Sequence, residues 1–450
     1  MRLMKLLKVC LGFLLAGSCL PAPAGDNWPQ FRGPHAAGFS TNAGLPEKWS
    51  ATENVAWKTQ LPGRSWSSPI VWGNRVFLTA VVNSGDSEAP KKGLYFGGER
   101  PVLKSEHLWK VMCLGLLDGK VQWEKVVHRG APETPVHLKN CYGAETPVTD
   151  GERVYALFGN LGLFVFTMDG VEAWSKPIEP HKMRYGWGTA ASPVLQGGKL
   201  ILVNDNDEHA EMFALDAKTG KELWRVDRDE KSNWATPFVW EQGNRTEIIT
   251  SGSRAVRSYD LESKLLWSLK GMSSIAIPTP FAADGLLFVA SGYVGDKLRP
   301  LYAIRPGASG DITLASGETN NQFIAWSNLV GAPYNPSPLF YEGRIYILFD
   351  RGLVSCYDAK TGQAHYERER LPEGLAFTAS PWAAGGRIFC LNEDGVCFVI
   401  KAGDRFELLP GNKLADDDMC MATPALAGDR LLIRTATRLY CLQNQPANRR

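Results

Sequence analysis

The sequence predicts an all-β fold made of one unit copied eight times, and two observations carry this prediction. A small or hydroxyl residue precedes a proline eight times along the chain, and a short β-rich run follows each time. These prolines are Pro69, Pro147, Pro193, Pro237, Pro280, Pro338, Pro381 and Pro424. From the second copy onward they recur at intervals of 43 to 58 residues, a period typical of a propeller or a solenoid. Because the unit consists of short strands and leaves no room for helices, we expect an eight-bladed β-propeller of four-stranded antiparallel blades.

The third copy shows the four strands of one blade most completely. Its runs are residues 191–194, 198–203, 212–216 and 219–224, which are rich in β-branched and aromatic types. Gly, Asp or Pro bounds each run and supplies the chemistry of a tight turn. The fourth run opens with the turn Thr219-Gly220-Lys221, and glycine reaches the positive φ of a hairpin without steric cost. Each copy therefore predicts one small antiparallel sheet.

An aromatic residue follows this hairpin turn in most copies, and we expect it to pack between neighbouring blades. In the first five copies it is a tryptophan: Trp123, Trp174, Trp224, Trp267 and Trp326. Tyr366 and Phe406 are the expected counterparts in copies six and seven. The eighth copy stops before any such aromatic, whereas Trp57 lies unmatched ahead of the first copy. Since an open ring would leave exposed sheet edges, we expect the strand around Trp57 to complete the eighth blade.

The chain begins with the features of an export signal. Basic residues flank an apolar stretch, and Ala22-Pro23-Ala24 fits the small-x-small rule for cleavage after Ala24. We therefore expect an exported protein, periplasmic or extracellular, with no transmembrane segment in the mature chain. A lipid anchor at Cys19 is the alternative, although a leucine lies one position too early for a lipoprotein motif.

These features divide the chain into a signal peptide (1–24), an N-terminal segment with the ring-closing strand (25–60), one propeller domain (61–445) and a tail (446–450). The formal net charge is +2, and removal of the signal leaves 46 basic against 47 acidic residues. A nearly neutral chain gives no reason to expect nucleic acid as a partner. We expect a monomer.

Cysteine usage leaves one question open. The turn at residues 392–395 would place Cys390 and Cys397 opposite each other across a hairpin. An oxidising compartment permits a disulfide there, and ordinary ladder neighbours are the alternative. The sequence contains no Cys-x-x-Cys-His haem motif and no spaced Cys/His zinc set. It also contains no Gly-x-Ser-x-Gly or His-Glu-x-x-His arrangement, so hydrolase chemistry has no support.

The repeat resembles that of the bacterial pyrroloquinoline quinone (PQQ)-like β-propeller proteins, a superfamily that includes the BamB assembly lipoprotein and the quinoprotein alcohol dehydrogenases. The Ala-x-Asp, Gly-Lys and Trp pattern of residues 214–224 carries the resemblance, with weaker copies at 111–123 and 357–362. The stretches at 28–34 and 232–237 further resemble a secreted subgroup of that superfamily. The resemblance implies the fold, but it does not by itself imply a bound quinone.

Strand order predicts where a ligand would bind. The loop that enters the first strand of each blade and the loop between its second and third strands emerge on one face, which we call the upper face. Aromatic, guanidinium and amide groups expected there suit a flat or polyhydroxylated anionic ligand, because rings stack and arginine pairs with carboxylates. The candidates are Arg64, Trp66, Glu145, Arg184, Tyr185, Trp187, Asn233, Trp234, Tyr334, Asn335 and Arg351.

Two features of this face stand out. Glu145 places a carboxylate where most copies carry a small residue, so it is either a ligand for a cation, an acid or base, or a contact to a sugar-like hydroxyl. The alternative is a structural acid, either solvated in a wet channel or bridged to a neighbouring blade. The glycine-containing insertion from Val82 to Leu108 is either a lid over the mouth of the ring or a hairpin extension without a role in binding. The acidic run with Asp205 and Asp207 is a weak candidate for a metal site.

Three classes of function follow. The first is an exported, non-catalytic binding or assembly scaffold of the cell envelope, with a protein partner, a polysaccharide or a small polar ligand on one face. The second is a quinoprotein oxidoreductase with PQQ and Ca²⁺, but the chain lacks the adjacent cysteine pair of the quinoprotein alcohol dehydrogenases, and no catalytic aspartate maps onto a matching motif. The third is a carbohydrate-binding or carbohydrate-active propeller. We favour the first class, with no cofactor.

Overall fold

A computed structural model describes residues 27–42, 44–86, 88–372, 376–414 and 418–445. The predicted signal peptide and tail lie outside these residues. Eight antiparallel sheets of four strands form a closed ring, which confirms the predicted fold class. In the part of the chain that the structure describes, no helix has the length and apolar character needed to cross a membrane.

The blades follow the chain in order, each from its innermost to its outermost strand. The ring-closing strand is β1 (Val55–Gln60). Blade 1 consists of β2 (Ile70–Trp72), β3 (Arg75–Asn83), β4 (His107–Gly115) and β5 (Val121–Gly130), and blade 2 of β6 (Val148–Thr149), β7 (Arg153–Phe158), β8 (Gly162–Thr167) and β9 (Glu172–Pro177). Blade 3 consists of β10 (Val194–Gln196), β11 (Lys199–Asn204), β12 (Glu211–Asp216) and β13 (Glu222–Asp227), and blade 4 of β14 (Phe238–Gln242), β15 (Arg245–Thr250), β16 (Ala255–Tyr259) and β17 (Leu265–Lys270).

The insertion in the fifth copy adds a short parallel strand, β21 (Gly310–Asp311), to the edge of blade 4. Blade 5 consists of β18 (Phe281–Ala283), β19 (Leu286–Ala290), β20 (Leu301–Ile304) and β22 (Ile324–Asn328), and blade 6 of β23 (Leu339–Tyr341), β24 (Arg344–Leu348), β25 (Leu353–Asp358) and β26 (Ala364–Arg370). Blade 7 consists of β27 (Trp382–Ala384), β28 (Arg387–Leu391), β29 (Val396–Lys401) and β30 (Leu408–Lys413), and blade 8 contains β31 (Ala425–Ala427), β32 (Arg430–Arg434) and β33 (Arg438–Leu442).

The ring closes as predicted, because β1 pairs antiparallel with β33 and supplies the outermost strand of blade 8. Trp57 lies opposite Cys441 in this register, and its indole Nε1 donates a hydrogen bond to the carbonyl of Leu116 in blade 1, at 2.9 Å. The aromatic side chain that the eighth copy lacks therefore comes from the other end of the propeller.

The blade tryptophans lie between neighbouring sheets. The indoles of Trp123, Trp174, Trp224 and Trp326 donate to backbone carbonyls of the next blade at 2.9–3.2 Å. Trp267 differs, because its indole donates to the carboxylate of Glu247 within its own blade.

The prediction for copy seven was wrong. In blade 7, Leu409 pairs with Val399 and takes the position of the tryptophans. Phe406 precedes the strand, and its ring contacts that of Tyr366, 5.7 Å away between centroids. A leucine at the blade position carries no aromatic signal, so the nearest aromatic in the sequence was misleading.

The hydroxyl residues before the repeated prolines form a belt around the axis. At six junctions the side-chain oxygen of one blade accepts a hydrogen bond from the equivalent backbone N–H of the preceding blade, at 2.9–3.1 Å. Ser68, for example, donates its backbone N–H to Thr146 Oγ1 at 3.0 Å. These bonds satisfy backbone groups that would otherwise lack partners at the start of each inner strand.

The segment before β1 crosses the lower face of the ring, and we call residues 27–42 the plug. Trp28 forms a β-bridge with Val71 in blade 1, and Phe39 forms one with Ala383 in blade 7. Between these anchors, Ala36 packs into the core shared by blades 4 and 5. The plug therefore spans the ring and covers the lower end of its axis.

The cysteines are free and buried throughout the described residues. Cys390 pairs with Phe398 and Cys397 pairs with Leu391, so the two thiols are offset by one residue. Successive side chains of a strand point to opposite faces, and Cys390 packs toward blade 6 whereas Cys397 packs toward blade 8. Of the two alternatives for this pair, the structure contains the strand neighbours without a disulfide.

Candidate functional site

The ring encloses a cavity of about 250 Å³ at its axis, which we call the axial cavity. Its floor is Phe31 of the plug, and the belt of serine and threonine hydroxyls surrounds it. The other wall residues are Trp66, Gly93, Leu94, Tyr95, His137, Lys139, Asn140, Ala144, Trp187, Ala190, Trp234, Ile277, Tyr334, Asn335, Thr378 and Met421. The wall thus combines aromatic rings with hydroxyl and amide groups.

Three tryptophans on the upper face belong to the wall, together with the rings of Tyr95 and Tyr334. The indole Nε1 of Trp66 donates to the carbonyl of Lys139 at 2.9 Å, and that of Trp234 donates to the carbonyl of Gly188 at 2.6 Å. Both rings are therefore fixed in orientation. Trp187 lies 5.8 Å from Trp234 between ring centroids, and its own Nε1 is buried without a partner among the described residues.

The insertion of blade 1 covers the upper end of the axial cavity, and we call residues 88–106 the lid. Leu94 packs into an apolar cluster with Trp234 and Tyr334. The ring of Phe96 lies 6.3 Å from that of Trp187, and its carbonyl contacts His137 Nε2 at 2.8 Å. The structure thus favours the interpretation of this insertion as a lid over the mouth of the ring. A role of the lid in binding remains a proposal.

A polar cluster fastens the lid to the ring. Lys139 and Glu393 form an ion pair, and the Glu393 side chain is fully buried. Lys139 Nζ donates to the carbonyl of Gly93 at 2.9 Å, and the N–H of Gly93 donates to Glu393 Oε2 at 3.0 Å. Thr378 Oγ1 donates to the other carboxylate oxygen at 2.6 Å. One residue of the lid is therefore held at both its N–H and its C=O.

Asp350 positions two further wall residues. Its carboxylate accepts the backbone N–H groups of Tyr334 and Asn335, at 3.0 and 2.9 Å. Burial raises the pKa of Asp350 to about 6, and the two N–H groups oppose this shift by favouring the anion. Asp350 thus fixes the backbone of Tyr334 and Asn335, whose side chains line the axial cavity.

Glu145 lies outside the axial cavity. It is buried, with a relative exposure of 1 %, and accepts hydrogen bonds from Thr189 Oγ1 of the following blade and from the N–H of Gly159 at 3.1 Å. Burial raises the pKa of its carboxyl group, and the hydrogen bond from Thr189 is the largest opposing effect. These contacts correspond to the inter-blade acid, the alternative to a ligand.

The remaining candidates are distributed around the ring. Trp66, Trp187, Trp234, Tyr334 and Asn335 share the axial cavity. Arg184 donates to the carbonyl of Ser274 at 2.7 Å, and Tyr185 and Arg351 are exposed on the surface. Arg64 lines a different cavity, between the lid and blades 1 and 8. The structure therefore assembles the aromatic candidates and separates the charged ones.

The acidic candidates for a metal are engaged within the protein. Asp205 forms a buried two-point ion pair with Arg228, at 2.7 and 2.9 Å, and also accepts a hydrogen bond from Asn233. Asp207 accepts the N–H and hydroxyl of Ser232. Within the described ranges, no group of three or more His, Cys, Asp or Glu side chains is arranged to hold a metal ion.

A Ca²⁺-bound quinone does not fit the described wall of the axial cavity. Ca²⁺ prefers several oxygen ligands, usually with carboxylates among them. The described wall contains neither aspartate nor glutamate, and its cation, Lys139, already pairs with Glu393.

Sequence reasoning missed Phe31, Lys139 and Glu393. Phe31 belongs to a stretch noticed for its resemblance alone, and no repeat predicts where the plug lies. Lys139 and Glu393 are 254 positions apart, and their pairing depends on the ring bringing blade 7 beside the lid. The unique insertion was the one signal that this edge of the mouth differs from the others.

The fold and the pattern of its repeats define a class: an eight-bladed β-propeller of PQQ-like repeats. The family model described as outer membrane protein assembly factor BamB matches residues 47–204 and 166–293, more than half of the chain. The chain belongs to this family of PQQ-repeat propellers. Among curated proteins, none has a sequence that matches it.

Solved structures with the same fold include BamB and several dehydrogenases. BamB from Moraxella catarrhalis superposes with a TM-score of 0.53 at 13% identity, covering 81% of this chain and 99% of that one. Quinohemoprotein alcohol dehydrogenase from Comamonas testosteroni gives 0.59 at 12%, covering 95% and 82%. A europium-containing methanol dehydrogenase gives 0.57 at 10%, covering 93% and 98%. At these identities the likeness concerns the fold alone.

Proposed function

We propose that this protein is an exported, non-catalytic binding propeller of the cell envelope that encloses a small polar ligand in its axial cavity. The observation that carries the proposal is a cavity with a floor, a belt of hydroxyls, three tryptophans and a lid. Aromatic faces stack on flat or sugar-like rings, and hydroxyl and amide groups orient such ligands by hydrogen bonding.

The lysine and the histidine of the wall support binding rather than chemistry. Lys139 is paired with Glu393, and His137 Nε2 contacts the lid at the carbonyl of Phe96. Both side chains thus contribute to the closed form of the lid. General acid–base catalysis needs a titratable group within reach of a substrate proton, and these two already have partners.

Binding can be tested by intrinsic fluorescence, because three tryptophans face the ligand. We expect a panel of monosaccharides and flat aromatic acids to include a compound that changes the emission. Trp187→Ala should weaken its binding at least tenfold, through loss of stacking. Trp224→Phe, whose ring lies between blades, should lower the melting temperature without changing affinity. Equal affinity in Trp187→Ala would contradict the proposal.

The quinoprotein alternative predicts a different result. With PQQ and Ca²⁺ supplied, the protein should not reduce an artificial electron acceptor in the presence of alcohols or aldose sugars. Stoichiometric quinone binding with turnover would overturn the non-catalytic assignment. Lanthanide ions should be included, since one enzyme of this fold is described as containing europium.

A protein partner is the second candidate, and exposed apolar side chains favour it. Phe96, Tyr185 and Val294 are 57%, 48% and 43% exposed on the upper face, around the lid. The BamB likeness is consistent with such a partner. The double variant Tyr185→Ser, Val294→Ser should then lose cross-links to an envelope protein in cells while keeping its melting temperature. Unchanged cross-linking would speak against this surface.

A further inference from the structure

A second and larger cavity, of about 600 Å³, lies beside the axial one, and we call it the side cavity. It is lined by the lid, the upper end of blade 1, the loop at residues 136–142 between blades 1 and 2, and the adjoining loops of blade 8. Parts of its wall are apolar, including Val81 and Met419. The two cavities adjoin: Leu94 and Tyr95 of the lid face the axial one, Lys92 faces the side cavity, and His137 and Asn140 line both.

Most charges of this wall are neutralised by neighbours. Arg100 pairs with Glu88 at 2.7 Å, and Lys92 pairs with Asp394. The carboxylate of Asp418 accepts the hydroxyl groups of Thr435 and Thr437 in blade 8. Each of these groups would therefore give up a partner in order to bind a ligand.

Arg64 is the exception. Its backbone is fixed by two hydrogen bonds with Val81, at 2.8 and 3.1 Å, so the residue is firmly placed on the wall. Its guanidinium has no hydrogen bond or ion pair with any residue that the structure describes. The side chain is half-buried, and burial lowers its pKa. A partly desolvated cation without a counter-ion attracts an anion.

Asn83 contributes a second unused donor. Its Oδ1 accepts the hydroxyl of Ser105 at 2.7 Å and the N–H of Gly85 at 3.0 Å, and these two donors fix the orientation of the amide. Its Nδ2 is buried and has no acceptor among the described residues. Val81 lies opposite Arg64 and two residues before Asn83, so the three side chains share one face of the sheet.

A neutral imidazole completes the polar wall. His107 Nδ1 lies 2.9 Å from the carbonyl of Ser105 and so carries the proton, which leaves Nε2 as an acceptor. Burial lowers the pKa of His107, so the ring stays uncharged at neutral pH. The cavity therefore offers one cation, one amide donor and one acceptor beside an apolar wall.

We infer that the side cavity is a separate binding site for a small organic carboxylate with an apolar body. Its carboxylate group would pair with Arg64 and accept the Nδ2–H of Asn83. A guanidinium matches a carboxylate in a two-point geometry. An inorganic anion would also pair with the guanidinium, but it would leave the apolar wall in contact with water. This site is independent of the ligand proposed for the axial cavity.

Benzoate is a suitable probe because it combines a carboxylate with a flat apolar body. Calorimetric titration of the full mature chain should show saturable binding of benzoate, with inorganic phosphate binding at least tenfold more weakly. Arg64→Met, which keeps the apolar stem, should weaken benzoate binding at least tenfold. Asn83→Leu should weaken it severalfold, whereas Arg100→Met, whose partner is Glu88, should leave it nearly unchanged.

The axial variant Trp187→Ala distinguishes the two sites. It should bind benzoate as the wild type does, even if it loses the axial ligand. Saturating benzoate should also protect Arg64 from phenylglyoxal, as read by peptide mass spectrometry on the wild-type chain, so the test does not depend on whether a variant folds. Equal affinity in Arg64→Met, no protection of Arg64, or no binding by the wild type would each overturn the inference.

Discussion

Lys139 and Glu393 form an ion pair beneath the lid, and each also binds the backbone of Gly93. Lys139 belongs to the loop between blades 1 and 2, whereas Glu393 belongs to blade 7. The lid is an insertion in blade 1, and this cluster fastens it to blade 7, which lies beyond blade 8 in the ring.

Removal of one charge should therefore release the lid. Glu393→Gln leaves Lys139 nearly buried without a counter-ion, which costs about 3 kcal/mol. We expect a lower melting temperature together with faster exchange of the Gly93 amide hydrogen. Hydrogen–deuterium exchange read by mass spectrometry on lid peptides measures the second effect.

The matched control is the neighbouring exposed pair of Lys92 and Asp394, whose side chains are 40% and 48% exposed. Lys92→Met should cost less than about 1 kcal/mol, because water already screens this pair. If both variants opened the lid equally, the fastening would lie elsewhere in the lid.

The N-terminal strand should be essential for a closed ring. Deletion of residues 26–60 removes β1 together with the plug and exposes the edge of β33. An unpaired edge strand recruits other chains, so we expect oligomers and aggregation by size-exclusion chromatography. Removal of residues 444–450 should be tolerated, since Asn444 and Gln445 contribute exposed hydrogen bonds to the loop before β1. A monomeric, folded deletion variant would contradict the proposed role of β1.

Asp350 should make stability depend on pH in a defined window. Its pKa rises from 3.8 to about 6 on folding, so the folded state binds more protons than the unfolded state between these values. Stability from this group is present below pH 4 and is lost as the pH rises to 6, by about 3 kcal/mol. Asp350→Asn should lose this component, although it also loses one acceptor for the N–H groups of Tyr334 and Asn335.

Urea unfolding at pH 4, 5, 6 and 7 measures this effect. The wild type should exceed Asp350→Asn most at pH 4, and the difference should narrow by pH 6. A difference that stayed constant across the series would mean that Asp350 is ionised throughout in the folded protein.

The repeat made the ring predictable, but unique segments made the site. Every copy carries a serine or threonine before its proline, and most copies carry the hairpin-turn glycine, so one period predicts eight blades and the closure by Trp57. The belt around the axis consists of the serines and threonines that precede the repeated prolines, such as Thr146. The plug, the lid and the pairing of Lys139 with Glu393 occur once each. A repeat does not predict which part of the ring a unique segment contacts. The partner of Glu145 was unpredictable for a similar reason, because its hydrogen bond with Thr189 depends on how two loops pack together.

Arg32 and Arg434 are both fully buried, yet they differ in what they bind. Arg434 donates to the carbonyl and hydroxyl of Ser67 and to the carbonyl of Thr79, which joins blade 8 to blade 1. The three guanidinium nitrogens of Arg32 have no hydrogen-bond partner among the described residues, and the group lies 5.7 Å from the ring of Phe281. Burial lowers the pKa of Arg32 to about 9.

Replacement of Arg32 should therefore stabilise the protein. The folded pKa lies below the unfolded value of 12.5, so the folded state carries the full cost of the charge at neutral pH and loses it as the pH rises above 9. Arg32→Met removes this cost and should raise stability by about 1–4 kcal/mol. Arg434→Met should lower stability instead, because it leaves buried carbonyls unpaired. Thermal melting at pH 7 compares the two. If Arg32→Met lowered the melting temperature as much as Arg434→Met, Arg32 would bind a group beyond the described residues, and the plug would be held by charge rather than by its apolar anchors.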